Sequence, residues 1–149
     1  MDVIHQFLFS PLLALQTNTV GLDQGGLCID VSSCQYESNC PVCSIKSHRV
    51  HSKYIRTLQD LPISGKVSKI ELIARKYFCD NPLCVRKIFT ERFDSEIRPY
   101  HRRLIRSGDL LCRMALDLGG NTDSVISGYV GIPVSSSTIL RIIKRLEIK

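Results

Sequence analysis

Tryptophan is absent from this chain of 149 residues, and aromatic side chains make up only 7% of it. No aromatic cluster offers a platform for stacking unpaired bases, which argues against RNA as a partner. A glycine-rich phosphate loop is missing too. The start, Met1-Asp2-Val3-Ile4-His5, lacks the basic residues of a signal peptide. The apolar stretch from Phe7 to Leu15 is interrupted at Pro11 and too short to cross a bilayer. These absences predict a cytoplasmic protein without a membrane partner, in a compartment where thiols stay reduced.

Basic residues are missing from one segment only. Residues 1–39 hold Asp2, Asp23, Asp30 and Glu37 and no lysine or arginine, a charge of −4; residues 40–149 carry all 20 basic residues against 10 acids, a charge of +10. Such asymmetry points to a polyanion partner for the second segment.

What is present is a pair of cysteine pairs. Cys40-Pro41-Val42-Cys43 and Cys79-Asp80-Asn81-Pro82-Leu83-Cys84 each set two thiols on a tight turn. Four thiolates suit a tetrahedral Zn²⁺. The spacer, rich in β-branched residues, is long enough for two strands, the layout of a zinc ribbon. One Cys-x-x-Cys alone would equally read as a redox motif, and paired cysteines can also be disulfides or buried apolar residues. Cys28, Cys34 and Cys112 remain, best read as small buried residues, with Cys28 and Cys34 as alternative ligands. His48, His51 and His101 could join zinc chemistry, but a four-cysteine site is closed and leaves no position for water.

The chain divides into three expected parts. Residues 1–39 read as a packing arm, with a short helix from Val3 to Leu15, a turn-prone stretch and a strand at Leu27–Val31. Residues 40–96 read as the zinc ribbon: one strand over 45–58, a turn at Asp60–Gly65, a second over Val67–Phe78, and a third over Lys87–Phe93. The first of these strands presents Arg49, His51, Lys53 and Arg56 towards phosphate. Residues 97–149 change to helical spacing. A helix from His101 ends at Gly119-Gly120. A second runs from Thr122 to Val130, capped by Asn121. After the turn Gly131-Ile132-Pro133-Val134, Ser135 caps a third helix from Ser136 to about Glu147. Its apolar stripe is Ile139, Ile142, Ile143 and Leu146. Ser136, Ser137 and Thr138 open that helix, and Arg141, Lys144 and Arg145 line its polar side, a pattern suited to double-stranded DNA. The fold class expected is α+β: a small antiparallel zinc ribbon followed by a three-helix helix-turn-helix domain.

With these features in place the chain resembles the N-terminal part of bacterial insertion-sequence transposases of the "ISL-three" group. The similar stretches are Cys40–Cys43, Arg49–Pro62, Tyr77–Cys84, Lys87–Arg92 and Gly131–Arg141. The resemblance implies a zinc-binding domain and a helix-turn-helix followed, in that family, by an RNase-H-like nuclease domain with three metal-binding carboxylates. This chain stops at Lys149, so the resemblance implies recognition of transposon ends (terminal inverted repeats) without strand cleavage. Asp60, Asp109, Asp117 and Asp123 read as turn residues, solvated charges or caps. Cys112 lies mid-helix without a base, and the serine run is explained by capping, so no catalytic residue is expected. A free-standing zinc and helix-turn-helix regulator and a dimerisation module are the competing functions, with a homodimer or a full-length transposase as protein partner.

Overall fold

The computed structural model describes residues 3–9, 14–93 and 96–146. The elements run α1 (Val3–Leu8), β1 (Leu15–Asp23), β2 (Gly26–Ser33), β3 (Ser38–Asn39), β4 (Lys46–Ser47), β5 (Val50–Gln59), β6 (Ser68–Phe78), β7 (Ile88–Thr90), α2 (Ile105–Leu118), α3 (Gly120–Val130) and α4 (Ser136–Lys144). Among the described residues no helix is long and apolar enough to cross a membrane.

The central strand is β6, and both its edges are used. Along one edge β5 pairs antiparallel, Leu58 opposite Ile70 and Tyr54 opposite Ala74. Along the other edge two strands lie end to end. β2 pairs parallel with its first half, Ile29 opposite Ile70, and β7 pairs antiparallel with its last residues, Phe89 opposite Tyr77. β1 joins outside β2 as a hairpin. Its two-residue loop, Gln24 and Gly25, has φ of 43° and 85°. Positive φ at both central positions matches the right-handed twist of the flanking strands.

This arrangement corrects the expected fold class. The protein is a mixed α/β structure with a five-stranded sheet followed by three helices. It is not a small antiparallel ribbon attached to a helix-turn-helix domain. Residues 15–33 supply two of the five strands, and one of them pairs parallel. The reason lies in β6. β7 covers only the last residues of one β6 edge, and β2 takes up the backbone groups that the rest of that edge would otherwise leave unpaired.

Burial along β6 changes phase part-way. Ser68, Ile70, Leu72 and Ala74 are buried on one face; beyond Ala74 it is Tyr77, on the other face, that is buried. Successive side chains alternate between faces, so the two halves of the sheet bury opposite surfaces. On the first face lies the main core, where Leu8 and Phe9 meet Ile29, Val31 and Leu58, with Ile97 and Leu104. On the second face Tyr77 and Phe89 stack with centroids 5.9 Å apart beneath the cysteines.

The segments differ locally from expectation. α1 ends at Leu8 and Leu15 already belongs to β1, while the Pro11 interruption lies outside the described residues. Gly119 ends α2 at a φ of 77°, its N–H bonded to Ala115 O at 3.0 Å. α3 then starts at Gly120, so Asn121 falls inside its first turn and does not cap it. Ser135 caps α4, its Oγ accepting from Thr138 N–H at 3.3 Å. The helix ends at Lys144, and the expected end at Glu147 lies outside the described residues.

Candidate metal centre and nucleic-acid interface

Two loops bring the four cysteines together. In the first, Cys40 N–H bonds Ile45 O at 2.9 Å and Ser44 N–H bonds Cys40 O at 2.8 Å. Ser44 turns this loop with a φ of 60°. In the second, Cys79 N–H bonds Lys87 O at 2.8 Å and Cys84 N–H bonds Asn81 O at 3.1 Å. The Asn81 side chain accepts Leu83 N–H at 3.0 Å, an Asx turn that local chemistry favours. The loops are anchored by strand ends: β4 and β5 follow the first, and β6 and β7 bracket the second.

The Sγ atoms of Cys40, Cys43, Cys79 and Cys84 all lie within 4.8 Å of one another. Cys40 and Cys84 stand 3.9 Å apart, and Cys43 and Cys79 3.5 Å. Zinc–thiolate bonds of about 2.3 Å set the ligands of a tetrahedron about 3.8 Å apart, so the spacing fits a four-thiolate metal site. Cys40, Cys79 and Cys84 are buried and Cys43 is half-buried. The sequence did not single out Tyr77 and Phe89, which form the floor of this site. Their signal was available: each is an aromatic residue of a strand that borders the second loop.

Protonation of the thiols is uneven. The Ile45 backbone N–H, helped by Cys79, Cys40 and Asn81, brings the Cys43 thiol down to about 7 against desolvation. At Cys79 the Asn81 backbone N–H works the other way from the net effect: desolvation and the hydrogen bonds to Cys43, Cys40 and Cys84 push the thiol up to about 12. Cys84 is raised as well, against its Arg86 backbone hydrogen bond, by desolvation and by Cys43. Crowded thiols resist holding several negative charges at once, and a bound divalent cation reverses that balance.

Neither Cys28 nor Cys34 joins this group. Cys28 sits on the sheet with Asp30 and Glu71, its donor atom within 4.8 Å of theirs. The Cys34 thiol meets Gln16 Oε1 at 3.8 Å. His48 faces Glu37 at 3.5 Å, and His51 packs edge-on to Phe78.

The basic residues expected on the ribbon strand divide between two faces. Arg49 pairs with Asp80 at 2.6 Å and lies over the Phe78 ring. His51 and Lys53 are exposed, Lys53 opposite Arg75 on the Tyr77 face of the sheet beyond the register shift between Val50 and Ser52. Arg56 points to the opposite face, where it donates to the carbonyls of Arg98 and His101, both at 3.0 Å. On α4 the small residues serve the cap. Ser137 Oγ and Thr138 Oγ1 each lie 3.0 Å from Ser135 Oγ, and Ser136 Oγ donates to Ser124 Oγ of α3 at 3.0 Å. Arg141, Lys144 and Arg145 are exposed. Their side chains form no ion pair among the described residues.

Neither a curated protein nor a solved structure matches the chain. A family model does. Residues 37–84 match the zinc-finger of transposase IS204/IS1001/IS1096/IS1165, a segment that contains all four clustered cysteines and ends on the last of them, so this part of the protein is a transposase-type zinc ribbon with a cluster able to hold a metal ion.

Proposed function

We propose that the protein is a zinc-dependent DNA-binding module of transposase type, which recognises the terminal inverted repeats of its element. The gathered thiols of Cys40, Cys43, Cys79 and Cys84, inside the segment that matches a transposase zinc-finger, carry this reading. The donor set of four soft thiolates favours Zn²⁺ over harder cations. Bound by these four thiolates, zinc would contribute folding free energy at the loop end of the sheet and would have no open position for substrate. The charge of +10 over residues 40–149 supports a polyanion partner. Arg141, Lys144 and Arg145, exposed on α4, together with Arg49, His51 and Lys53 on the ribbon, supply cationic contacts.

The reading assigns no strand cleavage to this chain. Asp60 is buried and committed to Arg106, Asp109 and Asp117 are exposed along α2, and Asp123 is buried in α3. No three of them gather as a metal cluster among the described residues.

Fluorescence anisotropy tests both halves. The zinc-loaded chain should bind a labelled inverted repeat more tightly than a scrambled duplex of the same composition, and chelation should abolish the preference. Equal affinity for the two duplexes overturns the reading. Incubation of supercoiled plasmid with the chain and Mg²⁺ or Mn²⁺ should yield no nicked product.

A further inference from the structure

On the sheet face opposite the cysteine cluster, Tyr54, Arg56 and Lys76 border a cleft of about 630 Å³ whose far wall is the segment joining sheet to helices. A second cleft, of about 690 Å³, continues between that segment, α2 and α4, lined by Arg98, Arg103, Arg141 and Arg145. The two share Tyr100, His101 and Arg102, and so form one path across the molecule. Among the described residues, Arg86, Arg92, Arg98, Arg102, Arg141 and Arg145 line this path without an ion pair. Two acids line it. Glu91 is turned into the protein, bound by the Ser33 hydroxyl at 2.6 Å and the Arg75 N–H at 2.5 Å, and Asp109 stands alone in the second cleft.

Tyr100 stands where the two clefts meet. Its side chain is 86% exposed and its φ is 62°. The segment Arg98-Pro99-Tyr100-His101 is a turn closed by His101 N–H to Arg98 O at 3.4 Å. Proline second and positive φ third is the type II pattern, in which the third position ordinarily belongs to glycine. A bulky residue persists in that conformation only where its surroundings hold it, and such strain collects at functional positions. Here the turn is held from below by Arg56 at the carbonyls of Arg98 and His101, and by Gln59 N–H to Arg102 O at 2.9 Å. The turn thus sets where the exposed ring leaves the backbone, with the Arg92 guanidinium 5.9 Å from its centroid.

We propose that this path binds single-stranded DNA, its phosphates on the unpaired arginines and one base stacked on Tyr100. A positive groove with a free aromatic face is the combination that holds unpaired strands, whereas a duplex has no free base face to offer the ring. The sequence shows no aromatic cluster, but the fold brings Tyr54, Phe93 and Tyr100, from three separate segments, to the first cleft. Converging charge also registers at His101: burial, then Arg145, Arg98, Arg56 and Arg103, hold its imidazole below the usual histidine range. Single-stranded DNA as ligand rests on the DNA-binding role proposed above.

The test uses the full, zinc-loaded chain and a labelled oligothymidylate alongside the inverted-repeat duplex. Tyr100→Ala should weaken oligothymidylate binding on the order of tenfold, and Tyr100→Phe should keep it. Tyr100→Gly should weaken it equally while Tm stays the same or rises, because glycine relieves the positive φ. Arg102→Ala should reduce the salt dependence by roughly 0.7 in log–log slope. Duplex affinity should change little in the Tyr100 variants. Unchanged oligothymidylate binding in both Tyr100→Ala and Tyr100→Gly, or equal losses for single strand and duplex, overturns the proposal. A chain that binds oligothymidylate through Tyr100 but does not prefer the inverted repeat leaves this cleft standing and removes end recognition; the reverse result removes the cleft alone.

Discussion

Gly131 shows how much one residue can decide. It ends α3 with a φ of 92°, and a Cβ there would lie 2.9 Å from Pro62 Cβ. That contact docks the α3–α4 turn onto the loop between β5 and β6. Gly131→Ala should cost about 1–3 kcal/mol, seen as a fall of several degrees in Tm. Asp123 is expected to act in the opposite direction. Its carboxylate is buried with no hydrogen-bond partner for either oxygen among the described residues, and desolvation raises its pKa although the first turn of a helix favours negative charge. The folded state then holds this proton more tightly than the unfolded chain does. Stability from this group is therefore fully present in acid and lost as pH rises through the raised folded value. Asp123→Asn should raise Tm at pH 7 and flatten its dependence on pH in the acid range; a variant less stable at pH 7 would refute this account. Residues with local jobs, such as the Ser135 cap and Gly119, were legible in the sequence because turn chemistry is local. The buried pair of Asp60 with Arg106, which also donates to Leu8 O at 2.6 Å, was not. Asp60 reads as a turn residue, and nothing in the sequence links it to an arginine 46 positions away.

Among the elements, the two cysteine loops and β5 and β6 were the most legible. The loops announce themselves by cysteine spacing, and the strands by alternation. What could not be read was which edge of β6 would be taken. β2 is a short alternating strand that suits either a hairpin or a sheet interior, and its parallel pairing requires a crossover through the whole first cysteine loop. The phase change after Ala74 was equally hidden, because it depends on what covers each face. The metal expectation at this scale is specific. Cys43→Ser should melt the loop end of the sheet, since a lost ligand removes much of a binding free energy on the order of 10 kcal/mol that doubles as folding free energy. Cys112, half-buried in α2 and far from the cluster in sequence, should tolerate serine with a small effect. Far-ultraviolet circular dichroism with and without a chelator separates the two variants. Because the Cys79 thiol stands at about 12 in the unliganded cluster, zinc uptake at neutral pH should also release protons, and acid should expel the metal. An unchanged pH on zinc addition in weak buffer would contradict four-thiolate binding.

For the molecule as a whole, the sheet separates two candidate sites. The cysteine cluster lies on one face of β6 and β7, and the arginine path on the other. Zinc should therefore support nucleic-acid binding through the folded sheet and not by contact, and α4 becomes the element whose contacts can be dissected with the metal in place. Arg141 and Arg145 are one turn apart and both face the second cleft, whereas Lys144 does not line it. Arg141 lies closer to the capped start of the helix, within the reach of a base edge if that end approaches the duplex. An arginine that reads a base is worth roughly 1–3 kcal/mol at one base pair, while a lysine on phosphate weakens all sequences alike and lowers the salt slope by about one. Arg141→Ala should therefore lower the ratio of inverted-repeat to scrambled affinity by about tenfold, taking 1.4 kcal/mol as one decade. Lys144→Ala should leave that ratio unchanged and flatten the salt dependence. Titrations of both variants across a range of salt concentrations decide the matter. If neither substitution alters binding to any duplex, α4 is not the reading element, and the basic ribbon strand from Arg49 to Arg56 becomes the better candidate.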